Sequence, residues 1–137
     1  MSNTTFSKEE KAAMRAAVAE EKARKENADL EAACLAALAD MTGLDKELGT
    51  AFHTLVIKHT SLHPKTWYGM PAYSDDEGKT VVAFKNASKF KLRYATIEFQ
   101  TPANLDDGNL WPVGFAVTGL SGKDEDAVVA LLKKAVS

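Results

Sequence analysis

The sequence predicts an α+β fold: N-terminal helices, an antiparallel β-meander sheet and a C-terminal helix. Three observations carry that prediction. Ser7 to Thr42 holds no glycine or proline and is rich in alanine. The middle of the chain is rich in β-branched and aromatic residues, and the stretch from Ser121 returns to helical periodicity. Helices first, strands next and one closing helix give segregated α and β layers rather than an alternating parallel arrangement.

Alanine loses no side-chain entropy on entering a helix, so the opening block favours helix throughout. Ser7 followed by Glu10 has capping-box spacing and sets the start. Glu20 with Arg24, and Glu21 with Lys25, form i,i+4 pairs on an exposed face. One helix over this block would run roughly 54 Å, beyond the width of a compact domain of this size, so it breaks or projects as an arm. Asn27, followed by Asp29 and Glu31, has N-cap character and places the break there. The second piece repeats Leu30, Cys34, Leu38 and Met41 as a core-facing stripe and ends at Gly43. A further helix is expected from about Asp45 to Thr60, with Leu44, Leu48, Phe52, Leu55 and Val56 on one side. Pro64 disfavours helical backbone at His63, so that helix ends before it.

"KTVVAFK" and "FKLRYATIEFQ" read as strands, joined by a turn at Asn86, Ala87 and Ser88. "SDDEGK" is the turn ahead of them. Strand alternation puts Lys89, Lys91 and Arg93 on one face and Phe90, Leu92 and Tyr94 on the other. The phase then slips to Ile97 and Phe99, which calls for a bulge near Ala95. "GFAVTGL" supplies a last short strand. The closing helix is capped by Ser121, with Asp124, Glu125 and Asp126 at its positive end, Lys133 and Lys134 at its negative end, and Val128, Leu131, Leu132 and Val136 as its buried stripe. The organisation is an alanine-rich lead-in over 1–42 and an α+β domain over 45–137.

Composition narrows the function classes. The 137 residues are one domain's worth of chain. A net charge of -2 argues against a nucleic-acid binder. No apolar run suits a bilayer, and "MSNTTFSKEE" lacks the organisation of a signal peptide, so neither membrane nor export is expected. Cys34 is the one cysteine, which excludes an intrachain disulfide and a cysteine-based zinc cluster. It lies on the Leu30–Leu38 stripe and reads as core. There is no Walker loop and no dinucleotide fingerprint, and Ser61, Ser74 and Ser88 lie in no nucleophile elbow. The expectation is a non-enzymatic protein of the cytoplasm.

"TWYGMPAY" is the most unusual stretch. Pro71 lacks an N–H and extends Met70, and Gly69 reaches backbone angles that its neighbours avoid. A kinked or edge strand follows, whose aromatics line a pocket or turn a core corner. This segment, with "GKTVVAFKNASKFKLRYATIEF", "LDDGNLWPVGFAV" and a terminal helix, resembles the YdhG-like family of bacterial domains. The signature Y-G-M-P-A-[FY] falls at Tyr68, Gly69, Met70, Pro71, Ala72 and Tyr73, and the resemblance covers about residues 45–137. It implies a helix–antiparallel sheet–helix sandwich. Some members of the broader family are described as frataxin-like intracellular iron chaperones.

Three binding roles follow as expectations. The first is a small anionic ligand, or a protein partner, at the junction of Trp67, Tyr68, Met70, Tyr73, Lys89, Arg93 and Trp111, where rings enclose and cations orient. The second is iron held by carboxylates, as the resemblance implies, with Asp75, Asp76 and Glu77 the candidate ligands; bases interleave the acids of residues 7–26, which gives no acidic ridge. His59 and His63 have i,i+4 spacing, but the proline effect removes that geometry. The third is a homo-oligomer assembled through the alanine-rich helix, whose small residues allow close approach.

Overall fold

The computed structural model describes residues 6–137; residues 1–5 of the expected lead-in lie outside the described residues. Helix α1 spans Lys8–Ala39 and α2 spans Gly43–His59. Five strands follow, β1 His63–Trp67, β2 Met70–Ser74, β3 Thr80–Lys85, β4 Ala95–Phe99 and β5 Gly114–Val117, with a one-turn helix α3, Ala87–Phe90, between β3 and β4. Helix α4, Lys123–Ala135, closes the chain. The sheet is an antiparallel meander in the order β1-β2-β3-β4-β5, and the fold is α+β as expected.

The break expected at Asn27 does not occur. Helix α1 runs unbroken for 32 residues, roughly 48 Å. An interior asparagine costs well under ~1 kcal/mol relative to alanine, whereas a break gives up a turn of hydrogen bonds. A break also needs an apolar face that can fold back, and this segment has little. Residues 6–33 are exposed throughout, so most of α1 is an arm. Ser7 Oγ accepts the Glu10 N–H at 3.1 Å, as the capping spacing predicted. The ion pair on the arm joins Arg24 to Glu21 at i,i+3, one residue closer than the expected Glu20–Arg24 spacing. Only at Cys34 and Leu38 does the helix enter the core; Leu30 stays exposed.

Alternation gives the sheet two faces. Tyr73, Val82, Phe84, Ala95, Ile97 and Phe99 point to the helices and meet Cys34, Leu48, Phe52, Val56, Val128 and Leu132. Phe52 stacks on Phe84 and meets Tyr73 edge-on. Close approach of α1, α2 and β3 requires Gly49, where a Cβ would stand 3.0 Å from Leu38 Cδ2 and 3.1 Å from Phe84 Cε2. Helix α2 matches its expected span, though Leu44 is exposed and Asp45 is buried in its place.

Four other expectations are corrected. "TWYGMPAY" is not one kinked strand but a β-hairpin, with Trp67 opposite Met70 and Tyr68-Gly69 as its two-residue loop. Both loop residues have positive φ, 51° and 75°, as the twist of a tight hairpin demands. The bulge lies at Val81 on β3, where the register with β2 shifts, rather than near Ala95, where β4 begins. Residues 87–94 are not strand: α3 turns there and Lys91 takes left-handed backbone, φ 55°. Lys89, Lys91 and Arg93 therefore share no strand face. Helix α4 starts after Gly122 without a side-chain cap, and Ser121 contributes only its carbonyl, to the Asp124 N–H. Val128, Leu132 and Ala135 form its buried stripe, while Val136 is exposed.

Candidate functional site

A long-range contact shapes the corner. Asp45, 7% exposed, accepts the N–H of Ala87 on Oδ1 and that of Ser88 on Oδ2, each at 3.0 Å. Those are the first two amides of α3, so a carboxylate from α2 caps a helix 42 residues away. Burial pushes the Asp45 carboxyl up, but the Ser88 and Ala87 donors outweigh it and hold the group below its ordinary value. The residue at the N-cap position, Asn86, is thereby relieved of capping. Its side chain makes no cap hydrogen bond. Asn86 is 8% exposed and its Oδ1 has no hydrogen-bond partner among the described residues.

Asn86 lines a cavity of about 360 Å³ together with Ala37, Asp40 and Met41 from the end of α1, Gly69 from the hairpin loop and Lys89 from α3. Lys89 lies across the hairpin loop so closely that a Cβ at Gly69 would land on its Nζ. The absence of a side chain at Gly69 makes room for the ammonium. Lys89 Nζ also stands 5.5 Å from the Phe90 ring centre, and Lys85 Nζ stands 5.0 Å from the same ring. On the outer sheet face, Phe90 and Trp67 cover Met70, Ala72 and Ala83. Trp67 meets Tyr68 edge-on at 4.9 Å, and Tyr68 is 79% exposed at the tip.

Of the residues expected to meet, Trp67, Tyr68, Met70 and Lys89 come together at this corner. Tyr73 does not: it is fully buried on the opposite sheet face, its hydroxyl 2.9 Å from His53 Nδ1. Arg93 stands 4.8 Å from the Tyr94 ring and lines a separate cavity with the N-terminus of α2. Trp111 packs on the main core, a different cluster from that of Trp67. One alternation step separates Tyr73 from Met70 and Ala72, which is enough to send it through the sheet.

The acidic turn is occupied with local work. Asp75 Oδ1 accepts the N–H groups of Glu77 and Lys79, Asp76 meets His63 Nε2 at 2.7 Å, and Glu77 pairs with Lys79. Among the described residues, no three His, Cys, Asp or Glu side chains gather as a metal-binding group. Cys34 is fully buried, 4.0 Å from both Tyr73 Oη and His53 Nδ1. Burial raises its thiol and also holds the Tyr73 phenol well above its ordinary value. His53 is lowered by burial against the opposing charge of Glu31. The thiol and phenol keep their protons and the imidazole is neutral, so this trio is a packed, uncharged cluster rather than an activated nucleophile.

A third cavity, of about 350 Å³, lies between β4–β5 and α4, lined by Phe99, Phe115, Leu120, Val128 and Leu131 with Asp124 as its carboxylate. Among the described residues, no helix is long and apolar enough to cross a membrane. Sequence reasoning named Lys89 but missed Asn86, Asp45 and Asp40. "NAS" read as a turn, and nothing local showed that Asp45 would take over its cap.

The fold and corner thus define an α+β domain whose hairpin loop, short helix and arm-bearing helix enclose a polar cavity. No family profile, curated protein or solved structure matches the chain.

Proposed function

We propose that this domain is a cytoplasmic, non-enzymatic binding module of the YdhG-like kind, and that its corner cavity takes a small anionic molecule. The observation that supports the reading is Lys89, whose ammonium is set across Gly69 on the wall of the cavity. A lysine in such a place supplies three donors to a carboxylate or phosphate. Ala37 and Met41 line the same cavity and offer apolar contact to the rest of a ligand. None of the clustered nucleophiles is activated, which supports binding over catalysis.

The test uses the full chain with 15N labelling, titrated with isovalerate and with inorganic phosphate. Shifts centred on Gly69, Asn86 and Lys89, abolished in Lys89→Met, are the expected result. Flat spectra at millimolar concentrations of both anions would remove the proposal.

A second reading rests on the arm. Residues 8–33 expose every side of a helix roughly 39 Å long, so self-association through it would cover surface that the domain leaves bare. Light scattering of the full chain and of a chain starting near Asn27 decides it: equal protomer numbers end this reading.

A further inference from the structure

We propose that β5 is a dimerisation edge, at which two copies of this chain pair β5 with β5 in antiparallel register and extend the meander into one continuous sheet. The interface uses neither the corner cavity nor the arm.

A five-stranded meander has two free edges, here β1 and β5. In an antiparallel strand, alternate residues aim their N–H and C=O at one neighbour, and the residues between them aim away. Trp67 pairs with Met70 across the two-residue loop, so Trp67, Lys65 and His63 direct their main-chain groups to β2. Thr66 and Pro64 face outward, and Pro64 has no N–H to offer. Lys65 adds a charge, and β1 is half-buried along its length. Proline and lysine on an edge discourage a further strand, so β1 is guarded.

Strand β5 has neither guard. The Phe99 N–H donates to the Val113 carbonyl at 2.8 Å, which sets residues 113, 115 and 117 toward β4. Gly114 and Ala116 therefore aim outward, and both are exposed. Residues 108–122 hold no charged side chain. On the helical face β5 borders the groove walled by Phe115, Leu120, Val128 and Leu131, and Val113 beside it is 46% exposed.

This edge fits its own copy. Setting Gly114 of one protomer opposite Ala116 of the other places the two-fold axis at Phe115 and forms about four main-chain hydrogen bonds, all within the strands. Each half-buried Phe115 then lies beside its counterpart, on the face where it already meets Phe99 edge-on at 5.9 Å. Val113 of one protomer comes opposite Val117 of the other, and the small Gly114 and Ala116 leave the outer face free of clashes. A two-fold axis sets the groups nearest it against copies of themselves, so a charge there would repel its own image. The neutrality of residues 108–122 meets that demand. A foreign strand makes no such demand, because an opposite charge on it could serve to select it.

The experiment uses the full chain, with sedimentation from micromolar to millimolar concentration and amide exchange followed by NMR. The expected result is a mass of two chains at high concentration, with the Gly114 and Ala116 amides exchanging at least about tenfold faster once dilution separates the protomers. Ala116→Lys places an ammonium on each side of the axis at an exposed position, and should weaken the dimer at least about tenfold. A mass of one chain at every concentration overturns the interface. So does a dimer whose Gly114 and Ala116 amides exchange as fast as in the separated protomers, or one that Ala116→Lys leaves intact. Should Ala116→Lys fail to fold, the exchange comparison on the unaltered chain decides alone.

Discussion

The two ends of the sheet carry open cavities of nearly equal volume, about 360 Å³ at the hairpin corner and 350 Å³ beside α4, walled by different side chains. The corner is built by residues from α1, the β1–β2 loop and the segment around α3, and its polar groups include one with nothing to do. The groove at β5 is walled mostly by apolar side chains, and its one carboxylate, Asp124, sits in the first turn of α4, where an acid complements the helix dipole. The groove is incomplete packing; the corner is packing completed by other means. Where Asp45 does the work of Asn86, a buried polar side chain is left without a partner.

That contrast can be broken in several places. Phe84 lies under the middle of the sheet, fully buried and stacked on Phe52, so Phe84→Ala should cost about 3–5 kcal/mol in urea unfolding and weaken both ends alike. Asp45→Ala should cost about 1–3 kcal/mol, because two amides of α3 lose their acceptor. It should also lower ligand binding at the corner, because α3, which carries Lys89, loses its cap. Binding that survives Asp45→Ala unchanged would separate the cap from the site.

Leu131→Ala, in the partly buried wall of the groove, should cost about 1 kcal/mol and leave binding at the corner untouched. Acidification probes the helical side of the sheet. Burial holds His53 below its ordinary value, so below about pH 6.5 the unfolded chain binds the extra proton and stability falls as pH falls. The midpoint of thermal unfolding should drop between about pH 7.5 and pH 5.5, and drop less in His53→Gln. The smallest effect belongs to the hairpin tip. Tyr68 holds positive φ without being glycine or asparagine, so Tyr68→Asn should raise stability by up to about 1 kcal/mol.

Much of the core was legible before the fold. Cys34, Leu38 and Met41, and then Leu48, Phe52, Leu55 and Val56, sit on the stripes that helical spacing drew. Burial of one helix face leaves a regular mark, and the mark survives in one dimension. The candidate site was half legible. Gly69 and Lys89 stood out by type, but the expected junction also held Tyr73, Arg93 and Trp111, which a one-residue alternation and a helical turn at 87–90 sent elsewhere. The basic run misled because "ASKFK" was read with strand periodicity, when a carboxylate from α2 bends it into α3.

By itself the sequence determined the composition of the layers: the helical blocks at both ends and a strand-rich middle, the apolar faces of the helices, and where glycine permits a loop. Those are local properties of propensity and period, fixed by residues within a few positions of one another. Only the tertiary structure decided that α1 runs on as an arm, that Asp45 caps α3, and that Asn86 is left unpartnered beside Lys89. Each depends on groups far apart in the chain, and a hydrogen bond between such groups has no periodicity to announce it.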